Sequence, residues 1–300
     1  MRISTSMLYD FGVNSIDTQL TQLAKTQQQI ATGRRILTPG DDPVAAAGAL
    51  ENEKSLGVVN QYVNNIGSAR STLSLEEGVL ASVNQTLQNV RQTAVNAGNP
   101  TLSAANKAAL ATTLRSNYDQ LLSLANSKDG EGNYMFAGFK TATQPFTQLT
   151  GPAVYAGDQG QRKLQISASR QIPVTDSGQD VFKPGVAGSD PFATIETLIT
   201  ALNSGTVTAT DISTALNGID SAMNNVLRVR SGIGTRQNEL DATETAGQNS
   251  ALQYQSAISN LRDVDFTKAI TDLTRQQTGL QAAQKSFVTV QGLSLFNYLP

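Results

Sequence analysis

The 300 residues carry a formal net charge of -2, contain no His, Cys or Trp, and are only 15% charged. That composition excludes imidazole and thiol chemistry and any disulfide framework. Scattered Lys and Arg leave no electrostatic footprint for nucleic acid or anionic lipid, so neither a nucleic-acid partner nor membrane insertion is expected. The opening residues lack the apolar core of a secretory signal, and no apolar run approaches the ~18 residues of a membrane span. The chain is expected to be soluble and, if exported, to leave by a route that reads no cleavable signal.

The first element in chain order is an amphipathic stripe of Tyr9, Val13, Ile16, Leu20, Leu23, Gln27 and Ile30, which predicts a helix. It ends in the stretch from Gly33 to Pro43, where two glycines and two prolines forbid a continuous helix. Within that break Pro39 and Gly40 precede Asp41, and Asp42 is the expected N-cap of a helix starting at Pro43, where a missing N–H costs nothing. This second helix carries apolar positions in alternating steps of four and three: Tyr62, Ile66, Ala69, Leu73, Glu76, Leu80, Val83, Leu87, Val90, Ala94 and Ala97. It is expected to end near Gly98-Asn99-Pro100. A third helix, capped by Ser103, carries Ala111, Leu114, Tyr118, Leu121 and Ala125 and is expected to run to Asp129-Gly130.

From Asn133 to about Gly188 the period changes to two, as in Lys163-Leu164-Gln165-Ile166-Ser167, and turn residues become frequent. Helical signals resume at Asp190-Pro191-Phe192 and run through Leu202. Asp211 is the expected N-cap of the longest stripe, which runs from Ile212 through Ile219, Val226, Ile233 and Leu240 to Ile258 and Leu261. The next apolar positions, Phe266, Ile270, Leu273, Leu280 and Phe287, are out of phase with it, so the seam is broken at Arg262-Asp263-Val264-Asp265.

Steps of four and three keep a seam on one side of a helix wound at 3.5 residues per turn, so the long stripes predict helical rods in side-by-side contact. At ~1.5 Å per residue the longest would span roughly 75 Å, which predicts an elongated molecule. The expected fold is mainly α: antiparallel helical rods, a small β-rich insertion and paired terminal helices. The expected domains are 1–40 with 262–300 for terminal assembly, 41–132 with 189–261 for the rods, and 133–188 for the insertion.

The central stripes are read as intramolecular core. The terminal ones have no larger core to join, and an isolated amphipathic helix of that length is marginal in water. They are therefore expected to be mobile in a free subunit and to order when copies pack together. That makes Val13, Ile16, Leu20, Leu23, Ile30, Phe266, Ile270, Leu273, Leu280 and Phe287 the candidate assembly surface, with Pro39, Gly40, Asp41, Asp42 and Pro43 as helix break and cap. The paired carboxylates Asp41-Asp42 and Glu76-Glu77 read as a cap and a solvated helix face rather than as acid–base machinery. Gly157-Asp158-Gln159-Gly160 and Gly232-Ile233-Gly234 lack phosphate-loop context and read as turn and thin-packing glycines. Arg230, Gln237 and Glu244, polar at seam positions, either set register or mark a seam open to water. No catalytic, cofactor-binding or metal-binding residue is expected, and an enzyme is the least favoured class.

Three motifs carry a resemblance. Ile30-Ala31-Thr32-Gly33-Arg34-Arg35-Ile36 followed by Asp41-Asp42-Pro43-Val44-Ala45-Ala46-Ala47 resembles the N-terminal signature of the bacterial flagellin superfamily. Val229-Arg230-Ser231-Gly232-Ile233-Gly234-Thr235-Arg236-Gln237-Asn238-Glu239-Leu240 resembles its C-terminal rod, and the run from Leu261 to Ile270, continuing to Gln281-Ala282-Ala283-Gln284, its last helix. Pro39 and Pro43 depart from the commoner signature. The opening Arg2-Ile3-Ser4-Thr5-Ser6-Met7, the run Asn133-Tyr134-Met135-Phe136-Ala137-Gly138-Phe139 and the short insertion are similar to the members that form the hook–filament junction.

The resemblance implies a secreted structural adaptor, exported by the flagellar type III route with a cytoplasmic chaperone on its C-terminal helix. Its implied partners are further copies of itself in a ring or layer, a hook-associated junction protein on the hook side and flagellin on the filament side. The alternatives are a small filament-forming flagellin and a secreted coiled-coil effector.

Overall fold

Residues 5–148, 151–183, 185 and 188–292 are described by a computed structural model. Residues 2–4 of the opening motif lie outside that range. Among the described residues the fold is mainly α: α1 (Thr5–Thr32), α2 (Pro43–Ala97), α3 (Ala104–Ala125), α4 (Gly178–Phe182), α5 (Pro191–Asn203), α6 (Ala209–Arg262) and α7 (Phe266–Gly292). Two antiparallel hairpins complete it, β1 (Phe146–Thr147) with β2 (Val154–Tyr155) and β3 (Lys163–Ser167) with β4 (Arg170–Pro173). None of the described helices is long and apolar enough to cross a membrane.

Helix ends follow local chemistry. Asp42 Oδ1 accepts the Ala45 N–H at 3.0 Å, Ser103 Oγ that of Asn106 at 3.2 Å, and Asp190 Oδ1 that of Phe192 at 2.9 Å, satisfying first-turn donors that have no intrahelical acceptor. α6 begins one turn earlier than expected. Thr208, not Asp211, is its N-cap: the Thr208 hydroxyl accepts from the Asp211 N–H while Asp211 Oδ2 accepts from the Thr208 N–H at 2.8 Å, a reciprocal box across the first turn. α3 stops short of the expected Asp129, because the Asn126 side chain leaves the helix to pair with the Phe146 backbone in both directions, at 2.9 Å each.

The chain gathers into two units, Met1–Val58 with Ser250–Pro300, and Val59–Asn249. In the second, α2 and α6 lie antiparallel, as the cross-helix ion pairs Arg91–Asp220 (2.7 Å), Arg230–Glu77 (2.5 Å) and Arg70 with Asp241 and Glu244 require. Arg230 and Glu244 therefore fix register across the seam. The stripe of α2 from Ile66 to Ala97 is fully buried, and α3, α5 and the hairpin region close over it. Rings of Phe136, Phe146, Phe182 and Phe192 stand 5.2 to 5.9 Å apart, binding the hairpin region to α5, and Tyr118 of α3 meets Phe192 edge-on at 5.5 Å. The turn at Gly157–Gly160 is real. Asp158 Oδ1 accepts from the Phe139 and Gly160 N–H groups at 2.8 Å, and the Phe139 contact foremost holds its carboxyl below the usual range. Gly138, at φ 72°, leaves room for that carboxylate.

Two further expectations fail. Glu76 is not on a solvated face: it occupies its seam position in α2 with 1% of its surface exposed. The four-three spacing places it there irrespective of its charge. Gly232 and Gly234 are not thin-packing residues either, since nothing lies within 4 Å of where their Cβ atoms would stand.

The first unit has far fewer layers. α1 and α7 pair antiparallel, with the Tyr9 and Phe287 rings 5.3 Å apart at one end and Gly33 against Phe266 at the other. The break after α1 and the break before α7 hydrogen-bond to each other, Arg35 N to Arg262 O at 2.7 Å and Val264 N to Gly33 O at 2.9 Å.

Burial decides which substitutions hurt. Leu80→Ala, which empties a fully buried site in the α2–α6 seam, lowers unfolding free energy in urea by about 2–5 kcal/mol. Leu75→Ala, half exposed on the same helix, stays within about 0.5 kcal/mol of the native protein.

Candidate assembly surface

A helix pair buries one stripe on each partner and leaves the other faces wet, so α1 and α7 show what a third and fourth helix would otherwise cover. Of the expected surface, Ile16, Leu23, Ile30, Leu273, Leu280 and Phe287 are half-buried. Val13, Leu20, Phe266 and Ile270 are exposed, Ile270 at 54%. Among the described residues of the pair, the buried ones are the small Thr26 and Ala269.

Helix contact is close at the far end. A Cβ on Gly12 would stand 2.5 Å from the Phe287 ring, so glycine lets that ring lie against the α1 backbone. Nearer the middle, Gln19 Oε1 and Gln276 Oε1 are buried without a hydrogen-bond partner.

Among the described residues, three exposed apolar side chains escape the four-three stripe: Met7, Phe11 and Val288. Phe11, 63% exposed, adds the largest apolar surface on α1. A stripe drawn for one seam omits them by construction. Counting every apolar position on α1 and α7 would have found a second, off-seam face.

The break and cap residues form a knot of charges. Asp41 meets Lys25 Nζ at 2.6 Å and accepts from the Leu37 and Thr38 N–H groups at 3.0 and 2.9 Å. Lys25 first, then those N–H groups, hold its carboxyl well below the ordinary carboxylate range. Asp42 is pulled down as well, chiefly by the Ala45 N–H and next by Arg35, whose Nη1 lies 3.1 Å away. Arg35 also donates from Nη2 to Leu261 O at 2.7 Å, and Arg262 pairs with Glu53. Pro39 and Gly40 are exposed in the turn ahead of this knot, and Pro43 opens α2. Arg35, Arg262 and Glu53 are structural partners that hydrophobic patterning gave no means to detect.

No group of His, Cys, Asp and Glu among the described residues is placed to hold a metal ion. The arrangement is suited to packing: two apolar faces on paired helices, pinned at one end by hydrogen-bonded turns and ion pairs.

The bacterial flagellin N-terminal helical region matches residues 3–141 and the C-terminal helical region residues 216–299. Flagellar hook-associated protein 3 of Escherichia coli (strain K12) is 36% identical to this chain, with 99% of each covered. The chain belongs to the flagellar hook-associated protein 3 family. Flagellin of Bacillus subtilis (strain 168) is 28% identical, covering 95% of this chain and 94% of its own. A solved structure described as a flagellar hook-associated protein from Vibrio parahaemolyticus superposes with a TM-score of 0.70 at 26% identity, over 74% of this chain and all of its own. Members of the hook-associated protein 3 family are structural components of the flagellum, not enzymes, and this chain is one of them.

The cap chemistry has a pH signature. Carboxyls depressed in the folded state contribute stability above the unfolded value of 3.8 and lose it as pH falls through the lower folded value. Asp42→Ala therefore lowers the thermal midpoint at pH 7, and the gap from the native protein narrows as pH drops below about 4, read by circular dichroism melts.

Proposed function

We propose that this chain forms a ring or layer between the flagellar hook and filament, exported through the flagellar type III route with a cytoplasmic chaperone and completed outside the cell by neighbouring subunits. One observation carries the reading: α1 and α7 expose Phe11, Leu20, Phe266 and Ile270 on faces that nothing within their own pair covers. Each such side chain that a neighbouring copy buries contributes roughly 1.5–3 kcal/mol, so a few together outweigh the cost of ordering the helices. The hook-side neighbour is a second hook-associated junction protein and the filament-side neighbour is flagellin. Full-length similarity to a named hook-associated protein supports the adaptor role over the effector alternative. Full-length similarity to a filament flagellin keeps one rival reading, a subunit that polymerises on itself.

Three experiments test this. In a deletion strain, electron microscopy is expected to show hooks without filaments and flagellin lost to the medium; normal filaments overturn the proposal. Purified protein added to filament fragments is expected to add a limited layer, whereas indefinite growth supports the flagellin reading. Phe11→Glu and Ile270→Glu, both at exposed sites, are expected to abolish incorporation while leaving the melting curve of the isolated subunit within about 0.5 kcal/mol of native.

A further inference from the structure

The one fully buried carboxylate of the α2–α6 seam does not belong to the assembly surface. Glu76 projects from α2 toward the stretch between β4 and α4, where its Oε1 accepts the Asp176 N–H at 3.1 Å and its Oε2 has no hydrogen-bond partner. Asp176 is itself buried and pairs with Arg236 of α6, while Gln161 Nε2 donates to its Oδ1 at 3.3 Å. Arg236 also donates from Nη1 to Pro173 O at 3.1 Å. On the hairpin side Arg162 approaches Asp129 at 3.7 Å. On α2 itself the adjacent Glu77 is already committed to Arg230 of α6.

These groups balance only if Glu76 is uncharged. Asp129 and Asp176 are matched by Arg162 and Arg236, and an ionised Glu76 would leave an excess negative charge on a side chain closed off from bulk solvent. Burial, with the Asp176 charge second, pushes the Glu76 carboxyl up to about 8.

We propose that Glu76 is a proton-operated latch that fastens the 174–178 stretch to α2 and α6: protonated, it leaves the Asp176–Arg236 pair balanced, and deprotonated, it sets two carboxylates against one guanidinium and releases the stretch. The sign follows from linkage. The closed form holds the proton and the open, solvated form releases it at the ordinary value of 4.5, so closure is firmest in acid and weakens with rising pH up to about 8, then levels off. The latch joins the hairpin region to the helices within one unit.

Hydrogen exchange on the full-length protein, corrected for intrinsic rates, tests it. Amides of residues 174–178 are expected to lose protection by about tenfold per pH unit between pH 5.5 and 7.5, while Glu76→Gln, which keeps the acceptor and cannot ionise, holds protection constant. Equal pH dependence in both proteins overturns the latch. Carbon-13 titration of the native glutamate carboxyls gives a second reading that needs no variant. Glu76 is expected to titrate near pH 8, apart from the others, and a titration among the ordinary glutamates overturns the proposal.

Discussion

A helix can bury only the stripe that meets a neighbour, and the number of neighbours differs sharply between the two units of this chain. In the larger one α2 and α6 meet each other, and α3, α5 and the hairpin region cover what they leave, so Leu73, Leu80, Val83 and Leu87 lose all contact with solvent. In the smaller one α1 and α7 hold mainly each other, and much of their apolar surface stays open. The same amphipathic pattern therefore yields a core in one place and an unfinished surface in the other. In the proposed ring or layer, neighbouring copies cover that unfinished surface.

Much of this was legible in the residues. The four-three spacing located α2 and α6, and proline, glycine and a capping aspartate located the break at 33–42, because these signals are local: they depend on neighbours within one turn. The α6–α7 break was visible as a phase slip for the same reason. Signals that depend on distant partners were not legible. The early end of α3 rests on Asn126 meeting Phe146, and the start of α6 on a reciprocal bond between Thr208 and Asp211 that either residue alone only suggests.

Glu76 shows the limit most clearly. Its spacing put it in the seam and its charge put it on the surface, and charge was the weaker guide. A carboxylate flanked by Leu73 and Leu80 is carried inward by the burial of its neighbours, which outweighs the cost of one desolvated group when that group can stay neutral. The candidate assembly surface was legible in outline and incomplete in detail, since a stripe drawn for one seam cannot report Phe11 or Val288 lying off it.

The bonds that close the smaller unit also set a timetable. Arg35 reaches across 226 positions of chain to Leu261, and Gly33 accepts from Val264 over a comparable distance. Loops of that length close slowly and only once both ends exist, whereas helices such as α3 form from near neighbours. A chain delivered from one end can thus form local elements such as α3 early, while its two extremities stay apart until the last segment arrives. In the proposed assembly, the part that packs against neighbouring copies is the part that takes shape last.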